Sequence, residues 1–88
     1  MNPYTDNEKK SGSFTRIFSE DVNEEELVWH RDRKNRTVEL LEGEGWKLQF
    51  DNALPIKLEK NKFYYIQKDT FHRIWRGKGD LKIKITES

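Results

Sequence analysis

Apolar and polar residues alternate along this chain in short runs with a period of two, the spacing of half-buried β-strands. Trp46, Leu48 and Phe50 stand against Lys47 and Gln49, and Leu81, Ile83 and Ile85 stand against Lys82 and Lys84. Comparable runs cover 14–18, 26–32, 37–41, 56–58, 63–67 and 71–76, with the first two examples at 46–51 and 81–86. Turn formers separate them: Asn35, the pair Gly43 and Gly45, Asp51-Asn52, Lys60-Asn61, Lys68-Asp69 and the stretch 77–80. Only 21–26 reads as a helical turn, because its acidic cluster suits a helix start. Eight short strands with turns every 8 to 12 residues or so predict an all-β sandwich or small barrel. Residues 1–13 are polar apart from Tyr4 and read as a flexible N-terminal arm, so the barrel is expected over 14–88.

Composition narrows the function classes. The chain has 88 residues, enough for one domain that buries only about 60 to 65% of its unfolded surface, so dimerisation or a bound ion would add needed stability. Hydrophobic residues make up 33% and charged residues 38%, but an aromatic share of 12% separates it from disordered sequences. With 17 basic and 16 acidic residues the net charge of +1 gives no general attraction to nucleic acid or an anionic membrane. The absence of cysteine excludes disulfides, thiolate metal sites and cysteine nucleophiles. No apolar run approaches the roughly 20 residues of a membrane span, and the polar start is unlike a signal peptide. A soluble cytoplasmic protein is expected.

The chemistry is concentrated at His30, Asp32 and His72. Strand spacing puts His30 and Asp32 on one face and Trp29, Arg31 and Arg33 on the other. If His72 joins them, two imidazoles and one carboxylate form the donor set used for iron and similar metals. The competing reading is a hydrogen-bonded network in which Arg36 or Arg76 neutralises Asp32. The basic residues Arg31, Arg33, Lys34, Arg36, Arg73 and Arg76 could grip an anion through the planar guanidinium fork, or form an ordinary solvated surface.

From 26 to 85 the chain resembles the small single-domain cupins. At the spacing of that family's first motif, two histidines, a glutamate and a glycine, it carries His30, Asp32, Arg36 and Gly43. At the second motif His72 is kept, while Gln67, Asp69 and Arg76 stand at the proline, glycine and asparagine positions. The resemblance implies a double-stranded β-helix, a cupin-type jelly-roll barrel, often dimeric. It implies a metal site of His30, Asp32 and His72 for iron, manganese, nickel or zinc, with Arg36, Arg73 and Arg76 as candidate binders of a small anionic ligand. Arg36, in place of a ligand glutamate, would repel a dication at the low effective dielectric of a barrel interior, or could instead pair with Asp32 and hold it in place. Whether the protein is an enzyme stays open, with metal-free isomerase or epimerase chemistry at a histidine as one alternative. The rival from another class is a non-catalytic interaction module that uses the outer aromatic face around Phe71 and Trp75.

Overall fold

Alternation produces strands at most of the expected places. In the computed structural model, which describes residues 3–7 and 11–88, the elements run β1 (Tyr4–Asp6), β2 (Ser13–Phe18), a 3-10 turn (Glu24–Glu26), β3 (Arg36–Glu44), β4 (Lys47–Phe50), β5 (Ile56–Lys57), β6 (Phe63–Ile66), β7 (His72–Trp75) and β8 (Lys78–Glu87). A five-stranded sheet of order β1-β2-β8-β3-β6 and a three-stranded sheet of order β5-β4-β7 are antiparallel throughout. Their inward side chains share one core. The larger sheet contributes Phe14, Phe18, Val38, Leu40, Ile66, Leu81, Ile83 and Ile85, the smaller contributes Leu48, and Leu27, Trp46 and Leu58 come from connecting segments. Each buried leucine or isoleucine is worth about 1.5–3 kcal/mol, so these few side chains carry the barrel.

The turns behave as their residues require. Asn52, Asn61 and Asp69 adopt φ values of 60, 65 and 61°, the left-handed region that Asn and Asp tolerate best after glycine. Asp69, which stands at the glycine position of the second motif, takes the left-handed conformation that glycine adopts most readily. Gly43 (φ 135°) and Gly45 (φ 74°) carry the chain from β3 of the larger sheet into β4 of the smaller one.

Two expectations change. Segment 26–32 is not a strand: Asn23 caps the 3-10 turn through its side chain, and afterwards the chain makes only an isolated bridge between His30 and His72. Over 29–33 alternation still reports a face, since His30 and Asp32 are half-buried while Trp29, Arg31 and Arg33 are exposed; before it the pattern breaks, with Leu27 buried and Val28 exposed. The arm expected over 1–13 falls partly outside the described residues, at 1, 2 and 8–10. Of the rest, Tyr4–Asp6 is an edge strand, because Asp6 pairs with Arg16 at 2.8 and 3.0 Å and the Arg16 guanidinium lies 3.6 Å from the Tyr4 ring centroid.

Candidate metal and ligand site

His72 opens β7 with its side chain buried, and it pairs with Phe50 of β4 on one side and with the His30 bridge on the other. The bridge consists of two backbone hydrogen bonds, His30 N–H to the His72 carbonyl at 3.0 Å and His72 N–H to the His30 carbonyl at 2.9 Å. A further bond, from Asp69 N–H to the Asp32 carbonyl at 2.8 Å, holds the chain two residues on. The imidazoles therefore lie 4.3 Å apart between ring centroids. One donor atom from each of His30, Asp32 and His72 lies within 4.8 Å of the others.

The ring nitrogens are oriented by their own backbone. His30 Nδ1 is 3.0 Å from the Val28 carbonyl and His72 Nδ1 is 2.8 Å from the Thr70 carbonyl. A carbonyl only accepts, so both Nδ1 atoms carry hydrogen and each neutral ring keeps its lone pair on Nε2. This is the arrangement that fixes metal-binding histidines in other proteins. His72 Nε2 lies 3.3 Å from Asp32 Oδ2, a buried oxygen without a hydrogen-bond donor among the described residues. A neutral ring would set two lone pairs against each other there, and a second proton on His72 or a cation would satisfy both. The donor set and this orphaned oxygen fit a divalent metal.

Electrostatics agree with that fit. Burial holds the His30 imidazole below its ordinary value of 6.5, with His72 and Arg36 acting the same way against the Val28 hydrogen bond and Asp32. Burial pushes the Asp32 carboxyl up, but the His72 contact, Arg36 and the charges of both imidazoles outweigh it and leave it below 3.8. Near neutral pH the site thus offers a carboxylate and a neutral His30. Arg36 does not cancel this. One of its nitrogens lies 3.2 Å from Asp32 Oδ1, while Nε and the other terminal nitrogen bind Glu87 at 3.0 and 2.9 Å. Glu87 is Arg36's neighbour across β3 and β8, and it supplies the neutralisation that sequence reasoning lacked. Fifty-one residues separate the two, so no local motif could reveal it.

The other two arginines go elsewhere. Arg73 points to the outer face of β7, with its guanidinium 4.3 Å from the Trp75 ring centroid and 5.6 Å from that of Trp29. Arg76 follows the end of β7, donates to the Val22 carbonyl at 2.8 Å and lies 3.9 Å from Glu24. Neither lines the barrel cavity. That cavity, about 300 Å³ and partly open, has His30, Asp32, Arg36 and His72 among its walls, and aliphatic side chains from both sheets and the connecting segments form most of the remainder. Fully sealed and empty, an apolar void of this size would forfeit on the order of 7 kcal/mol, comparable with the whole stability of a small domain.

No protein-family model matches the sequence, and no curated protein is significantly similar to it. Solved structures are similar in shape. An RmlC-like cupin family protein with a double-stranded β-helix fold from Methanocaldococcus jannaschii superimposes over all of this chain and 82% of its own, with a TM-score of 0.73 and 9% identity. The fold is that of the cupins. The cupin shape also matches iron(II) HppE (TM-score 0.69, 14% identity, 86% of this chain and 41% of that one). A DMSP lyase structure, of RdDddP and RnDddQII, gives a TM-score of 0.72 at 11% identity over 85% of this chain and 36% of that one. This chain therefore spans well under half the length of those two enzymes. Among the described residues no helix is long and apolar enough to cross a membrane.

Proposed function

We propose that this cupin-fold chain binds a divalent transition metal through His30 Nε2, Asp32 and His72 Nε2, and holds a small anionic ligand in the adjoining cavity. The observation that carries the reading is the pair of Nδ1 tethers facing a buried, donorless Asp32 oxygen. HppE, similar in fold, has been crystallised in iron(II) and cobalt(II) forms, which supports the same class of ion here. When bound, the metal would supply Lewis acidity and open positions for an oxygen donor. The chain's own residues would orient it: the Val28 and Thr70 carbonyls hold the rings, Arg36 holds Asp32, and Glu87 neutralises Arg36. No reaction is assigned.

Elemental mass spectrometry after incubation with zinc or iron(II) and desalting tests this. The wild type should retain near-stoichiometric metal, while folded His30→Ala and His72→Ala should bind it at least about tenfold more weakly. A wild type that takes up neither ion would overturn the reading.

A second reading, protein interaction or self-association, rests on β6. It is an edge strand of the larger sheet, and its Phe63 and Tyr65 are 67% and 59% exposed.

A further inference from the structure

The barrel interior has one polar end. Along β3 the inward side chains run from Arg36 to Val38 to Leu40, and the cross-strand partners on β8 run from Glu87 to Ile85 to Ile83. On the facing sheet the same step leads from His72 and its partner Phe50 to Ile74 and its partner Leu48. Both sheets thus pass from charged or polar to aliphatic in the same two residues.

Arg16, the other basic group on the cavity wall, does not make a second pole. Its guanidinium is bound twice by Asp6 and covered by the rings of Tyr4 and Phe14 at 3.6 and 5.3 Å. Glu26, the remaining charged residue on the wall, is an exposed carboxylate that repels a second anionic group.

Resting on the metal reading of the polar end, we infer that the ligand is single-headed and aliphatic: a short-chain monocarboxylate whose oxygens face His30, Asp32 and His72 while its hydrocarbon tail lies among Val38, Leu48, Ile74 and Ile83. A sugar, a nucleotide or a dicarboxylate would have to bury polar groups against these side chains without hydrogen-bond partners. The volume, about 300 Å³, lies at the small end of ligand cavities and suits a compact acid.

Isothermal titration calorimetry of the zinc-incubated protein with acetate, butyrate, hexanoate and octanoate tests the inference, with gluconate and succinate as polar controls. Zinc content is measured on the same sample. Dissociation constants should fall about fourfold for each added methylene until the tail fills the cavity, and both controls should bind no better than acetate. Ile74→Phe, which occupies part of that volume, should move the optimum to a shorter acid. Constants that stay flat across the series, or gluconate binding as tightly as hexanoate, would sink the proposal. Protein that holds no zinc counts against the metal reading and with it the carboxylate head group, whereas a flat series on zinc-loaded protein counts against the aliphatic tail with the metal reading intact.

Discussion

Asp32 sits between two partners, Arg36 on one oxygen and His72 Nε2 on the other. Its carboxyl is depressed below 3.8 and the His30 imidazole below 6.5. A depressed group binds more protons unfolded than folded, so both make stability fall as pH falls. For His30 the loss starts near pH 6.5 and continues through its lower folded value; for Asp32 it starts near pH 3.8. The urea midpoint of chelator-treated protein should therefore decline from pH 7.5 to pH 5, and the decline should be shallower in His30→Gln. A flat wild-type profile over that range would contradict the burial of His30. Metal affinity should fall over the same range, because protons compete for the same nitrogen and oxygen atoms.

At the scale of elements, the site depends on two crossings between sheets. The first is the Gly43–Gly45 bend, where β3 hands the chain to β4, and Gly77 packs against it from the link between β7 and β8. A Cβ on Gly77 would meet the Glu44 carbonyl oxygen, the Trp46 amide nitrogen and the Gly45 carbonyl carbon, all backbone atoms that cannot swing away. Gly77→Ala should cost at least about 2–3 kcal/mol, read from denaturant unfolding, through backbone strain rather than lost contacts. A change within about 0.5 kcal/mol would mean that the bend is looser than described. The second crossing is the His30 bridge to β7. It arises although 26–32 forms no ladder, because β7 is only four residues long and 30 meets it at its first residue. Alternation in 26–32 thus indicated the correct faces for His30 and Asp32 while misjudging the element that presents them.

At the scale of the molecule, the outer face carries Phe63 and Tyr65 beside Thr37 and Glu39 of β3. If this edge is a self-association surface, light scattering should give a dimer for the wild type and a monomer for the folded Phe63→Ser, Tyr65→Ser double variant. Equal masses would remove the second reading. Much of the architecture was legible beforehand, since period-two alternation states which side of a strand is wet, and turn residues state where the chain reverses. Asn52, Asn61 and Asp69 fall at expected turns for that reason. The facing of His30 and Asp32 was legible for the same reason, and His72 through its place in the motif. What alternation cannot carry is which strand lies beside which. Pairing of β3 with β8 brings Glu87 to Arg36, the end of β7 turns Arg76 toward Val22, and Arg73 stacks outside between two tryptophans. Period and turn chemistry are local properties of the chain, whereas the neutralised arginine, the donorless carboxylate oxygen and the one-ended cavity depend on register between distant strands, which only the closed barrel decides.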